Sequence, residues 1–198
     1  MVYINLAVED SLSEIVLTRI INLFPGKYNI QHCYGEQGYG YLKSSIRGFN
    51  QASKITPFLV LTDLDRYECP LALIKDWIAF PLHANLIFRI AVREVESWLL
   101  ADSPGFAKFL NISESHIPSS SEEIINPKEF LINLARKSGR RKIKEDLIPS
   151  SKFASIGPNY NGRLTEFVLQ YWNVHKAIRN NDSLEKTYDK LKRFTYNY

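Results

Sequence analysis

The segment P-F-L-V-L-T-D-L-D-R, residues 57–66, is an apolar run that ends in two carboxylates, Asp63 and Asp65. In an extended strand residues i and i+2 point the same way, so the two acids are expected to converge just beyond the strand's carboxyl end. Carboxylates that close repel, and left alone at least one tends to keep its proton near neutral pH; a divalent cation lets both ionise. An all-oxygen ligand set suits magnesium or manganese. Acids also follow two other expected strands: Glu9 and Asp10 after the first, with Glu14 on the helix behind them, and Glu94 and Glu96 after the fourth. Parallel strands would bring these ends to one rim, and such a rim supports phosphoryl chemistry assisted by one or two metal ions. Asp10 also reads as a helix cap. Glu94 and Glu96 diverge once a helix begins, so geometry alone does not choose between them as a further ligand. For an isolated D-x-D the plain alternative is a solvated turn after a core strand.

Positioning these acids falls to an alternation of strands and helices. Patterning predicts strands at 2–8, 27–33, 57–62 and 85–92, and helices at 12–24, 41–53, 71–80 and 94–101. The glycine-rich stretch 35–40 (G-E-Q-G-Y-G) reads as a flexible loop near the site. Alternation of this kind implies right-handed crossovers, and so an α/β fold: a mainly parallel sheet of roughly four strands flanked by helices. Ligands then gather at the strands' carboxyl ends. From Ser103 the pattern changes to short helices, at 104–110, 127–137, 164–172 and 183–194, between polar connectors. Residues 1–102 are therefore expected to form a metal-binding domain, and 103–198 a basic helical extension packed on it. Trp98, Leu99 and Leu100 read as core, Tyr171-Trp172 as packing residues, and Asn159-Tyr160-Asn161-Gly162 as a turn. Arg89 and Arg93 suit either a phosphate clamp or pairing with neighbouring acids, and pairing is favoured for Arg89, which lies mid-strand.

The chain has 198 residues, 45% of them hydrophobic, enough for one well-buried core. Its net charge of +4 is unevenly distributed: residues 1–127 hold 10 Lys or Arg against 14 Asp or Glu, and residues 128–198 hold 15 against 7. Bases set apart from acids suit a metal-dependent enzyme acting on a polyanion, and equally a solvated helical face. No apolar stretch is long enough to span a bilayer, and the start M-V-Y-I-N-L-A-V-E-D lacks the basic region of a signal peptide, so a cytoplasmic location without membrane attachment is expected. Cys33 and Cys69 stand far apart and read as reduced thiols.

Several chemistries lack their motifs. There is no phosphate loop, nucleophile elbow or C-x-x-C pair. His32, His83, His116 and His175 have no zinc spacing, and the glycines at 35, 38 and 40 are no dinucleotide fingerprint.

An acid after the first strand, then a helix, then D-x-D after a later parallel strand resembles the Toprim domain of topoisomerases, primases and overcoming-lysogenisation-defect nucleases. More narrowly, V-E-D at 8–10 with Ser13-Glu14, F-L-V-L-T-D-L-D-R at 58–66, R-I-A-V-R-E-V-E-S-W-L-L-A-D at 89–102 and P-K-E-F-L-I-N-L-A-R at 127–136 resemble the bacterial domain-of-unknown-function family 4276. The resemblance implies a Toprim-like fold with magnesium at Glu9, Asp63 and Asp65, favours Glu96 over Glu94 as an added ligand, and implies a neighbouring ABC-type ATPase in phage defence. The nuclease pattern V-E-G-x-x-E is not kept: Asp10 and Ser13 stand where it has Gly and Glu, and Glu14 comes one position later. A second metal therefore lacks a complete ligand set.

The expected function is a nuclease that cuts DNA or RNA with Mg2+ (or Mn2+). Glu9, Asp63 and Asp65 would hold the ion, Glu14 and Glu96 would assist, and Arg93, Lys128, Arg136, Arg140, Arg141 and Lys142 would contact phosphate. The alternatives are a non-catalytic partner or sensor subunit of the ATPase and, more remotely, a haloacid-dehalogenase-like phosphatase, since D-L-D after a strand is that family's nucleophile motif. Against the last, Arg66-Tyr67 follow where it wants Thr or Val.

Overall fold

The structure is a computed structural model that describes residues 1–35 and 37–196; Glu36, inside the expected 35–40 loop, lies outside the described residues. Four strands, β1 (Val2–Val8), β2 (Tyr28–Gly35), β3 (Phe58–Asp63) and β4 (Leu86–Ala91), alternate with the helices α1 (Ser11–Ile21), α2 (Tyr39–Ala52) and α3 (Pro70–Trp77). The helices α4 (Val95–Leu100), α5 (Ser103–Leu110), α6 (Pro127–Lys137), α7 (Arg141–Leu147), α8 (Tyr160–Gln170), α9 (Val174–Arg179) and α10 (Asp182–Arg193) follow. This is the expected α/β class, with all four strands parallel. The chain divides into two compact units, Met1–Val92 with Glu185–Tyr198, and Arg93–Leu184. Sequence patterning places the boundary at 102 and keeps α10 in the second part.

In the first unit the strand order is β2-β1-β3-β4. The two central strands carry mostly apolar runs buried on both faces, Ile4 to Val8 with Asn5 among them and Phe58 to Leu61 followed by buried Thr62, as parallel strands covered by helices require. One face is covered by α2 and α3, whose Leu42, Ile46, Phe49, Leu73 and Trp77 pack on Ala7, Phe58, Val60, Leu86 and Ile90. Helix α1 turns Leu12, Val16, Leu17 and Ile20 inward at helical spacing. The chain leaves β1 outward to β2, then crosses back past β1 to β3. A reversal of this kind opens a crevice at the carboxyl ends of the two central strands, where ligands bind in open α/β sheets.

The far edge of the sheet is tied to the end of α10. Lys27 Nζ donates to the Leu191 and Lys192 carbonyls at 2.9 and 2.5 Å, and the Tyr28 hydroxyl donates to Leu191 at 2.6 Å. These carbonyls belong to a helix's last turn, which has no intrahelical donors left for them, and a cation there also opposes the helix dipole. Phe24 stacks on Tyr188 with centroids 5.0 Å apart.

The second unit is helical and built around Trp98, Phe106, Phe109, Leu131, Tyr160, Leu164 and Phe167, all buried. Phe167 meets Phe106 and Phe109 at centroid distances of 4.8 and 5.4 Å. Trp98, Leu99 and Leu100 are core as expected, Trp172 is buried, and Tyr171 packs on Phe109. The Trp98 indole donates to Ser183 Oγ (2.8 Å), which donates in turn to Asn181 (2.9 Å), so the one polar atom of that ring is satisfied inside the core.

Two sequence expectations are corrected here. Asn159-Tyr160-Asn161-Gly162 is not a free turn: Asn159 is the cap residue of α8, and the following three residues form its first turn. A Cβ at Gly162 would stand 2.2 Å from the Asn159 side-chain oxygen, so the glycine accommodates that side chain and does not mark a break. Arg89 does not pair with an acid among the described residues; its Nε donates to Thr187 Oγ1 at 3.1 Å.

Candidate functional site

Glu9 stands immediately beyond β1, where Val8 ends a buried strand. Two devices hold it. Its backbone carbonyl accepts from the Gly38 N–H at 3.0 Å. Just before it, Val8 pairs with Gly35 at the end of β2. Gly35 has φ +127, and a Cβ there would fall 1.8 Å from the Val8 carbonyl oxygen, so only glycine closes this end of the sheet. The stretch expected to be a flexible loop is, in its described part, a clamp on the residue that carries the acid.

The Glu9 side chain turns toward β3. Its Oε1 accepts from the Thr62 hydroxyl at 2.5 Å and from the Asp63 backbone N–H at 3.0 Å. Burial raises the Glu9 carboxyl above the usual carboxylate range; the Thr62 and Asp63 donors pull it down, and the charges of Asp65 and Asp10 push it up again. The upward influences win. A carboxylate so placed gains from any cation that neutralises it.

Asp63 is the last residue of β3 and half-buried. The ladder runs one residue further, with the Leu64 N–H donating to the Ala91 carbonyl at 2.9 Å, and Leu64 sinks into the core. Asp65 then adopts φ +48, a left-handed conformation in which Asp is one of the tolerated residues. It is therefore presented by a turn, not by continued strand alternation, and it is exposed. Asp10 caps α1, its Oδ1 accepting from the Ser13 N–H at 2.8 Å, and Glu14 lies half-buried in that helix's first turn. Among the described residues, no three His, Cys, Asp or Glu side chains stand close enough together to hold a metal ion by themselves. Magnesium asks less of a protein than that, since it commonly keeps several waters and takes one or two carboxylates together with substrate phosphate. Beside Asp65 a depression of about 440 Å3 is lined by Tyr39, Arg66 and Tyr67.

Glu94 and Glu96 belong to the second unit and have protein partners there. Glu94 Oε2 accepts the Lys128 backbone N–H at 2.8 Å, which satisfies a free donor in the first turn of α6. Glu96 is buried; its Oε1 accepts from the Tyr160 hydroxyl at 3.0 Å, and Lys128 Nζ stands 3.6 Å away. Burial pushes the Glu96 carboxyl up, Lys128 draws it down and Glu94 pushes it up again, leaving it raised.

The basic residues expected on phosphate divide into two groups. Lys128 lies between Glu94 and Glu96, Arg141 pairs with Glu145 at 2.7 Å, and Lys142 with Asp146 at 3.2 Å. Arg136, in the last turn of α6, and Arg140, just before α7, are exposed. Arg93 is half-buried with φ +62. Sequence reasoning missed Thr62 and Tyr160, the hydroxyl donors to Glu9 and Glu96. Thr62 reads only as a strand former and Tyr160 as part of a turn, and no local signal marks either.

No family model matches the chain, and no curated protein does. Among solved structures it is similar to the C-terminal region of the Burkholderia pseudomallei OLD protein, at 14% identity over 95% of this chain and 98% of that chain, with a TM-score of 0.49.

Proposed function

We propose that the protein is a magnesium-dependent (or manganese-dependent) phosphodiesterase acting on DNA or RNA, with Glu9, Asp63 and Asp65 at the carboxyl ends of β1 and β3 as its metal-binding acids. The observation that carries this reading is the state of Glu9: half-buried at the crevice between the central strands, held through one oxygen by Thr62 and Asp63, and destabilised as an anion by burial and by Asp65 and Asp10. Thr62 and the Asp63 N–H orient the carboxylate and leave its Oε2 for a ligand. Asp65, raised on its left-handed turn, adds charge at the open side. An ion bound by these acids would supply an activated water and offset charge on the scissile phosphate. Glu14, in the first turn of α1 behind Glu9, is assigned an assisting role. Arg136 and Arg140, with Arg93, Lys128, Arg141 and Lys142, would bind the phosphate backbone. The motif resemblance to the domain-of-unknown-function family 4276 extends the proposal to work alongside an ABC-type ATPase in phage defence.

A second reading, a non-catalytic partner subunit of such an ATPase, is favoured by one surface. Ile125 is 75% exposed and, with Ile124 and Phe130, lines a depression of about 400 Å3 beside α6.

Purified protein, with and without a candidate ATPase, is incubated with supercoiled plasmid and with RNA in magnesium or manganese, beside Glu9→Gln and Asp63→Asn. Cleavage by the wild type that both variants lose is the expected result. Cleavage that survives in both removes the assigned site, and none under any condition leaves the subunit reading.

A further inference from the structure

In the first unit a pocket of about 570 Å3 between β4 and α10 is lined by Arg89, Glu185, Lys186, Asp189, Lys190 and Arg193. Four of the six are cations. Lys186, Lys190 and Arg193 recur at i, i+4 and i+7, so α10 presents them on one stripe. Of the two acids, Asp189 is engaged by Arg193 at 3.0 Å. A solvated helix face would account for the lysines, but not for Arg89. That residue sits mid-strand, half-buried, in register with Leu61 of the core strand β3. Among the described residues its one side-chain hydrogen bond is from Nε to the Thr187 hydroxyl, and its terminal nitrogens have no ion pair. Burial alone depresses its basicity, which is the mark of a charge removed from water without an opposite charge beside it. A guanidinium held this way costs stability unless something anionic completes it, and its planar fork fits phosphate oxygens two at a time.

We propose that this pocket binds an oligophosphate group, with Arg89 at its base and Lys186, Lys190 and Arg193 along its wall. Four cations against two acids leave the lining with a net charge of +2, more than a single bound carboxylate needs. The lining contains no aromatic or aliphatic residue on which a base or acyl chain would rest, so the phosphates themselves are what is recognised. The volume falls within the roughly 300–1,000 Å3 of small-molecule sites. Arg89 lies in the body of β4, not at the strand ends, so the pocket is separate from the carboxylate rim and does not depend on the nuclease reading. The oligophosphate could be free pyrophosphate or the tail of a nucleoside triphosphate.

Calorimetric titration of the full chain in EDTA at low salt, with sodium pyrophosphate and separately with adenosine triphosphate, tests the site while keeping divalent ions off the acidic rim. Saturable binding of pyrophosphate at one site is expected. Arg89→Met should weaken it by about tenfold or more, the scale of a missing charge-assisted hydrogen bond, and should melt no lower than wild type without ligand, since it removes an uncompensated buried charge. Lys190→Ala, a surface change on α10, should weaken binding severalfold and serves should Arg89→Met not fold. Equal affinities for the two probes identify free oligophosphate as sufficient; much tighter binding of the triphosphate identifies the nucleotide. The proposal is overturned by the absence of saturable binding to wild type, by unchanged affinity in both variants, or by competition from a single-stranded oligonucleotide without terminal phosphates, which would mark a backbone groove instead.

Discussion

Glu9 holds its proton more tightly in the folded chain than in the unfolded one. The fold therefore tolerates the neutral form better. Stability from this group is fully present below its ordinary value of 4.5 and is lost as pH rises through the raised folded value. Glu9→Gln keeps an oxygen for the Thr62 and Asp63 donors and removes the charge. It should melt above wild type at neutral pH in EDTA, with the difference shrinking to nothing at about pH 4, where both side chains are neutral. Added magnesium should raise the wild-type midpoint and leave the variant's alone. Scanning calorimetry at the two pH values decides it, and coincident melts at neutral pH would refute the strained-carboxylate account. The placement of Glu9 and Asp63 at the carboxyl ends of β1 and β3 is legible in the sequence because each follows an apolar run that patterning reads as a buried strand. Thr62 and Tyr160 are not, because a hydroxyl's role is fixed by what folds against it.

Strand ends are where the elements do their positioning, and Gly35 is the tightest of these points. Gly35→Ala would place a methyl group 1.8 Å from the Val8 carbonyl oxygen, and the three nearest atoms are all Val8 backbone, with no side chain to move away. The expected cost is about 2–4 kcal/mol of stability, from strain at a positive φ and a broken strand pair. Denaturant unfolding measures it, and a cost under about 1 kcal/mol would mean that β2 can detach there without consequence. The four strands and the first three helices are readable because their β-branched runs and i, i+3, i+4 spacings agree with the tertiary packing. The short helices α7 and α9 are not: six or seven residues are too few to show a period. The left-handed turn at Asp65 escapes for another reason, since L-D-R continues the strand's alternation in the sequence while the backbone has already left it.

At the scale of the whole molecule, the excess of bases after residue 127 is partly internal. Lys128, Arg141 and Lys142 have acidic partners and Arg93 is half-buried, which leaves Arg136 and Arg140 as the more exposed charges among those assigned to phosphate. If both contact DNA, Arg136→Gln with Arg140→Gln should flatten the plot of log affinity against log salt by about 1.8, at about 0.9 for each phosphate no longer neutralised. Arg141→Gln with Lys142→Gln should change it less. Fluorescence anisotropy across a salt series gives the slopes, and an unaltered slope in the first pair removes that face from the interface. Charge segregation is visible in the sequence, but which charges are already neutralised is not, because the partners lie one helical turn away or on another helix. The return of residues 185–198 to the first unit also sets a timetable. Val92 and Glu185 are separated by about ninety residues, so on a ribosome adding roughly 5–20 residues each second the completed sheet waits on the order of 5–20 s for its last helix. Until then Phe24 and Tyr28 lack the ring contacts of Tyr188 and Phe194, and the face of β4 that bears Arg89 stands open. The four-stranded sheet is thus made before α4 to α9 and finished only after them, with Phe24, Tyr28 and Arg89 uncovered by α10 in the interval.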